Sequence, residues 1–215
     1  MSVAALECKA FSEVRYLAHA KQMQALEMIP QLGDEFKALF GRDSGGLIRG
    51  YRMDDADTVI VAMGSVLGTI KDTVDEMREQ GIKIGVLGIV SFRPFPVAAI
   101  RRALAHAKRV IVLEKCFAVG IGGIVATDVR LAMDGLDTKI YTVVAGLGGR
   151  NILRTSLHRV FAQAMDDQLE SLHFLDMDVD IVNRELERER TSRCSGPIAE
   201  NILRDVNAVR SSSVG

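Results

Sequence analysis

Tryptophan is absent from the 215-residue sequence and aromatic residues make up only 5% of it, so the flat side chains that stack nucleic-acid bases or sugars are scarce. An excess of either charge is lacking too, with 27 Lys and Arg against 28 Asp and Glu. Such a balance exerts no electrostatic pull on nucleic acid or an anionic membrane, and neither is expected as a partner. The three cysteines, Cys8, Cys116 and Cys194, lie far apart and form no CxxC pair. They are too few for an iron–sulfur cluster, which takes four thiolates, and too scattered for a structural zinc site. Their odd number fits reduced thiols in a cytoplasmic protein better than a disulfide framework. No apolar run approaches the ~20 residues of a membrane span, and the amino terminus, with Glu7 and Glu13, has no signal-peptide core. His19, His106, His158 and His173 stand without HxxxH or HExxH spacing, and neither GxSxG nor GxxxxGK[ST] occurs, which removes the commonest zinc, serine-hydrolase and P-loop readings.

What the sequence has is apolar residues, 48% of the total, enough to bury one core with extensions. Residues 13 to 40 place Val14, Leu17, Met23, Leu26, Ile29, Leu32, Phe36 and Leu39 mostly three or four apart, the spacing of a helix. Pro30 is expected to kink or divide it. An apolar stripe of that length, with no following strand to pair with, is expected to lie against another surface. After a glycine-rich connector the pattern changes to short apolar runs separated by amphipathic stretches, which predicts a parallel sheet with crossover helices. The strands fall at Thr58 to Met63, Ile82 to Val90, Arg109 to Leu113 and Lys139 to Val144; the helices fall at Leu67 to Gln80, Pro96 to Ala107, about Gly123 to Met133, and Ile152 to Met165. The strands are Val- and Ile-rich on both faces, as strands covered by helices on both sides must be. The expected division is therefore a helical arm and connector over 1–50, an α/β domain over 51–165 and a charged helical tail over 166–215. In that tail Asn183 to Arg193 alternates charge sign as an exposed helix does, Ile198 to Val209 reads as a last helix, and Ser211 to Gly215 should fray.

Candidate chemistry gathers where strands end. Gly64 and Ser65 follow a strand and start a helix, so their backbone N–H groups could hold an anion, or Ser65 could simply cap the helix. Arg93, between Phe92 and Pro94, could grip a carboxylate or phosphate, or anchor a loop or a neighbouring chain. Gly148, Gly149, Arg150 and Asn151 end the last strand, either as a close-approach site with Arg150 as its charge or as a sharp turn into a helix capped by Asn151. Cys116 sits next to an apolar strand with no His beside it, the usual position of an inert thiol. Read from the residues alone, the chain is an α/β domain with a glycine-rich sheet edge, and a stand-alone module binding a small anion there is one reading.

The order of Phe40-Gly41-Arg42, Met63-Gly64-Ser65 with Gly68-Thr69-Ile70-Lys71, Phe92-Arg93-Pro94-Phe95-Pro96, Gly122-Gly123 and Gly146-Leu147-Gly148-Gly149-Arg150-Asn151 adds a second reading. Over about residues 35 to 155 it resembles the second core domain of pyruvate:ferredoxin oxidoreductase and its 2-oxo-acid relatives, the C-terminal part of their alpha chain. The resemblance implies a transketolase C-terminal-like α/β fold, an open and mainly parallel sheet with flanking helices, here with helical extensions at both ends. It also implies a complex that decarboxylates a 2-oxo acid oxidatively onto coenzyme A with thiamine diphosphate, Mg²⁺ and iron–sulfur clusters, passing electrons to ferredoxin or another acceptor. None of these cofactors is expected on this chain alone, because the GDG-and-Asn diphosphate motif and the cluster cysteines are missing. The implied partners are a pyrimidine-side alpha domain, a thiamine-diphosphate-binding beta chain, a gamma chain and cluster-bearing chains, with this polypeptide as one part of a split alpha chain. Arg42, Gly64, Ser65, Arg93, Gly148, Gly149, Arg150 and Asn151 are then interface or substrate-side contacts, with no catalytic residue assigned. Asn151 stands where the family usually has Asp, which removes one charge.

Overall fold

A computed structural model describes residues 3–191 and Ile202, with side chains described from residue 10 to residue 190. The expected last helix and the fraying terminus therefore lie outside the described residues, Ile202 excepted. The chain forms a unit Met1–Leu175 and a second unit Asp176–Gly215. The first contains α1 (Val3–Phe40), β1 (Ile48–Tyr51), β2 (Thr58–Ala62), α2 (Val66–Glu79), β3 (Ile84–Ile89), α3 (Val97–Leu104), β4 (Arg109–Glu114), α4 (Ile124–Ala132), β5 (Lys139–Val144), α5 (Arg154–Met165) and β6 (Leu172–Phe174). In the second, α6 (Val179–Thr191) is a charged helix with Arg188 paired to Glu185 at 2.6 Å. It starts four residues before the expected Asn183, at a turn where Asp178 accepts a hydrogen bond from the Ile181 N–H at 3.1 Å.

The six strands run in the order β1-β3-β2-β4-β5-β6. All neighbours are parallel except β1, which runs antiparallel on β3. Alternate residues of the central strands feed two separate cores. Ile60, Ile111 and Val143 pack with Ile70 and Val74 of α2 and Leu157 and Phe161 of α5. Val59, Val61, Val110 and Val112 pack on the other face with Ile100 and Leu104 of α3 and Val125 and Val129 of α4. Two-sided burial explains why these strands read as unbroken apolar runs, and each side chain so buried contributes about 1.5–3 kcal/mol.

The edge strands β1 and β6 were not expected, because each is short and neither has the Val/Ile density of the centre. β1 is held in place by close approach: a Cβ on Gly85 of β3 would lie 2.6 Å from the Arg52 carbonyl oxygen, so only glycine lets the chain after β1 pass there.

α1 is one helix, and Pro30 does not divide it. A proline removes one backbone donor but leaves the turns on either side hydrogen-bonded. Phe11, Val14, Leu17, Met28, Leu32 and Leu39 are exposed, and α1 packs extensively against no other element of its own unit. The surface that the stripe was expected to meet is not supplied by this unit.

Polar ties fix the sheet at its other end. Asp167, just after α5, accepts from the Tyr141 hydroxyl at 3.0 Å and Arg109 Nε at 3.2 Å, and pairs with Lys139 Nζ at 2.8 Å. Lys139 and Arg109, with Tyr141, hold its carboxyl far below the usual carboxylate range. α2 is joined to α5 by Glu76, which meets His158 Nε2 at 2.6 Å and also pairs with Arg154. A carboxylate whose folded pKa is depressed adds stability that is present above its unfolded value of 3.8 and fades as pH falls toward the folded value. Asp167→Asn is thus expected to lower the urea midpoint at pH 7, with the gap to wild type narrowing below about pH 4. A gap of constant size from pH 7 to pH 3 would contradict that assignment.

Candidate functional site

The topology leaves an opening at the carboxyl edge of the sheet. β2 leads through α2 to β3 on one side, while β4 leads through α4 to β5 on the other. α2 belongs to one face of the sheet and α4 to the opposite one. At the carboxyl ends of β2 and β4 the chain therefore departs in opposite directions, which opens a crevice of the kind where parallel α/β sheets bind ligands. A cavity of about 620 Å³ lies there, within the size range of small-molecule sites.

Its apolar lining comes from Met63, Val66, Phe92, Leu113, Val125 and Ile152. Ser65, Lys115, Cys116, Arg150 and Asn151 add polar groups, with Lys115, Cys116, Arg150 and Asn151 exposed. Gly64 enters α2 with φ +76°, and Ser65 takes the first helical conformation instead of capping with its side chain. The first turn closes through backbone bonds from Leu67 N–H to the Gly64 oxygen and from Gly68 N–H to the Ser65 oxygen, both 3.2 Å. On the β5 side Gly146, Gly148 and Gly149 all have positive φ. Asn151 does not cap α5: that helix starts at Arg154 after an extended Leu153. The chain needs residues 151–153 to cross from the end of β5 to the face on which α5 packs.

The most constrained residue of the site is Glu114, at the end of β4. Its Oε2 accepts from the backbone N–H groups of Ile124 at 2.9 Å and Val125 at 2.8 Å, and its Oε1 from that of Ala126 at 2.9 Å. The buried carboxylate thus caps α4, satisfying donors that a helix start leaves open and meeting the positive end of its dipole. A Cβ on Gly123 would lie 2.0 Å from Glu114 Oε1, so this cap requires a glycine for its room, not for its backbone angles. At the far end of α4, Arg130 donates to the Thr142 hydroxyl at 2.9 Å and the Ile140 oxygen at 3.2 Å. Burial pulls its guanidinium below the ordinary arginine value, while the Glu114 charge opposes that.

Of the residues singled out from the sequence, Gly64, Ser65, Gly149, Arg150 and Asn151 line the cavity. Gly148 belongs to the same turn but not to the wall. Arg93 points elsewhere: it stacks on Phe92 at 4.0 Å and binds Asp128 Oδ2 of α4 at 2.7 Å, the loop-anchor alternative. Arg42 lies over Phe36 at 5.7 Å, at the foot of α1. Sequence reasoning assigned no role to Glu114 or Lys115, and it took Phe92 as part of a contact loop, not as a cavity wall. The available signal was an acidic residue ending an apolar strand, followed closely by Gly122-Gly123.

Among the described residues no three His, Cys, Asp or Glu side chains gather as a metal site, and no histidine lines the cavity. Its one carboxylate is spent on α4, so a Mg²⁺–diphosphate group, which needs oxygen ligands, does not fit these residues. The Glu114 cap gives a direct test. Gly123→Ala should force the carboxylate off α4 and lower stability by roughly 2 kcal/mol or more, since hydrogen bonds to charged groups contribute about 1.5–3 kcal/mol each. A denaturation midpoint unchanged in Gly123→Ala would refute the requirement for space.

Comparison with known proteins bears on the same strands. Residues 56–156 match the family described as pyruvate:ferredoxin oxidoreductase core domain II. The chain is 40% identical over 158 residues to the pyruvate synthase subunit PorA of Methanosarcina barkeri, the match covering 71% of this chain and 39% of that protein. It is 33% identical over 163 residues to the ketoisovalerate oxidoreductase subunit VorA of Pyrococcus abyssi, covering 75% and 41%. A solved 2-oxoglutarate:ferredoxin oxidoreductase from Magnetococcus marinus aligns with a TM-score of 0.45 and 19% identity over 63% of this chain and 21% of that one. The chain thus spans well under half the length of these relatives. The matched segment runs from Ala56, just before β2, into α5, and so contains both strands that open the crevice. Residues 56–156 are therefore a core domain II of the pyruvate:ferredoxin oxidoreductase type.

Proposed function

We propose that the protein is a non-autonomous subunit of a thiamine-diphosphate-dependent 2-oxo-acid oxidoreductase. The complex would decarboxylate a pyruvate-type acid oxidatively to an acyl-CoA and pass electrons to ferredoxin or another acceptor. The 40% identity to a pyruvate synthase subunit across 158 residues carries this reading. In it, this chain is a structural and interface domain beside the active site. Thiamine diphosphate, Mg²⁺ and iron–sulfur clusters are held by a beta chain and cluster-bearing chains, and a pyrimidine-side alpha domain and a gamma chain complete the assembly.

The exposed stripe on α1 supports a life in complex. Six large apolar side chains lie exposed along one helix, a surface of the kind that marks protein–protein contact. The Arg93–Asp128 pair and the Phe92–Phe95 contact hold the Phe92–Pro96 loop as a firm surface, suited to a neighbouring subunit. Cys116 lines the cavity without a base beside it, which gives a free-thiol enzyme no support. The second reading, a stand-alone module of the same fold, draws on the cavity alone.

Co-expression with neighbouring open reading frames that carry GDG-and-Asn and cysteine-rich motifs tests the proposal. The chain should co-elute with the thiamine-binding chain, and pyruvate oxidation with coenzyme A should appear only in the assembled material. Turnover by the lone polypeptide, or a well-behaved monomer that never co-elutes, would sink it. Leu32→Asp, on the exposed stripe, is expected to weaken co-elution at least about tenfold, the loss of one interface anchor, while leaving the circular dichroism of the α/β unit unchanged.

A further inference from the structure

α4 packs on β4 and β5, and β6 lies beyond β5 at the edge of the sheet. A cavity of about 440 Å³ lies between them, lined by Gly122 and Gly123 before α4, Thr127 and Arg130 on α4, Thr142 on β5 and Ser171 just before β6. It shares no lining residue with the crevice between β2 and β4. Among the described residues no carboxylate lines it, and its polar groups are mostly donors with hydrogen bonds still to give. Arg130 donates to the Thr142 hydroxyl at 2.9 Å and to the Ile140 oxygen at 3.2 Å. Both acceptors are neutral, and a guanidinium has further N–H groups beyond these two. Glu114, the acidic group that acts on Arg130, has given both its oxygens to α4. The buried Thr142 hydroxyl accepts from Arg130, while its own proton goes to no acceptor among the described residues. The same holds for the Ser171 hydroxyl and for the N–H of buried Gly123. Thr127 differs, since its hydroxyl donates to the Gly123 oxygen at 2.8 Å.

These donors are held in place before any ligand arrives. β6 is paired to β5, with the Thr142 N–H donating to the Ser171 oxygen at 2.9 Å, and Arg130 ties α4 to the same strand. A cation beside open donors, with no acid among them, selects an anion, because hydrogen bonds to a charged acceptor are the stronger kind. The donors stand on separate elements, so a planar carboxylate lying flat on the guanidinium would reach few of the others. A tetrahedral group turns its oxygens in several directions and can meet them together. We infer that the cavity between α4 and the β5–β6 edge is a binding site for a tetrahedral oxyanion, a phosphate or sulfate group. Arg130 supplies the charge, and the Thr142 and Ser171 hydroxyls and the Gly123 N–H supply further donors. Arg130 and Ser171 are exposed whereas Thr142 and Gly123 are buried, so the group has a way in from solvent and a floor to rest on. The site is independent of the subunit reading above, and its failure would leave that reading intact.

Titration of the full-length chain at matched ionic strength, followed by calorimetry and by the amide shifts of Gly123, Thr142 and Ser171, tests this with inorganic phosphate, methyl phosphate, acetate and chloride as probes. Phosphate or methyl phosphate is expected to saturate those shifts and to bind at least about tenfold more tightly than acetate, the gain from one further charged hydrogen bond. The tighter of the two phosphates tells whether the free ion or an ester is the ligand. Arg130→Gln and Ser171→Ala should each weaken the tighter probe about tenfold, as loss of a charged hydrogen bond does. Arg130 also ties α4 to β5, so Ser171→Ala, which removes no bond within the chain, decides the matter if Arg130→Gln fails to fold. Arg102→Ala, at an exposed arginine of α3 outside the cavity, should change nothing. Acetate or chloride binding as tightly as phosphate, binding undiminished in folded Ser171→Ala, or absence of phosphate binding by a chain whose circular dichroism shows it folded would each overturn the assignment.

Discussion

The carboxyl ends of β2 and β4 cannot both be covered, and most of what is particular to this molecule follows from that constraint. β2 and β4 are hydrogen-bonded neighbours in register from Thr58 opposite Arg109 to Val61 opposite Val112, yet their connections run to opposite edges of the sheet. A crossover helix must pack on the sheet to bury its apolar stripe, so the helices that follow these two strands are drawn to different faces. The gap between them is a product of topology and does not depend on any special residue. Special residues are needed only to keep it open and give it chemical character.

Glu114 does both. A carboxylate ending a buried strand must be paired or hydrogen-bonded, because an isolated buried charge is prohibitively unfavourable. The start of α4 offers the pairing, but only if the chain beside it stays out of the way, and Gly123 meets that condition by having no side chain. The same bonds fix where α4 begins and so where Val125 meets the cavity. One acidic residue therefore sets both a helix start and a cavity wall.

The buried centre was legible in the sequence and its edges were not, for a physical reason. β2 to β5 and the helices between them announce themselves because two-sided burial forces unbroken Val/Ile runs and a helical period between them. β1, with Arg49 and Gly50, and β6, three residues long, owe their pairing to neighbouring strands instead of their own composition. The cavity was half legible. Glycines at Gly64 and Gly149 mark sharp turns at strand ends, but only the fold brings those turns together across β4. Arg93 stood out as a lone cation in a rigid loop, and its partner Asp128 lies 35 positions away, beyond any local pattern. Ser65 and Asn151 look like caps by residue type; backbone bonds close the turn at the first, and the crossing to α5 passes through the second.

α1 poses a different energetic problem from the sheet. Its residues favour helix, with Ala, Leu, Met, Gln, Glu and Lys frequent, but intrinsic propensity holds a helix only marginally in water and Pro30 subtracts from it. In most proteins the deficit is met by packing one face on the core, and α1 has no such packing within its unit. Burying Phe11, Val14, Leu17, Met28, Leu32 and Leu39 against another surface would contribute about 1.5–3 kcal/mol for each side chain fully covered. That sum is comparable with the entire net stability of a small domain. The α/β unit can therefore stand on its own two cores, whereas the free energy of α1 is tied to whatever covers it, which makes the helix the element whose order reports assembly.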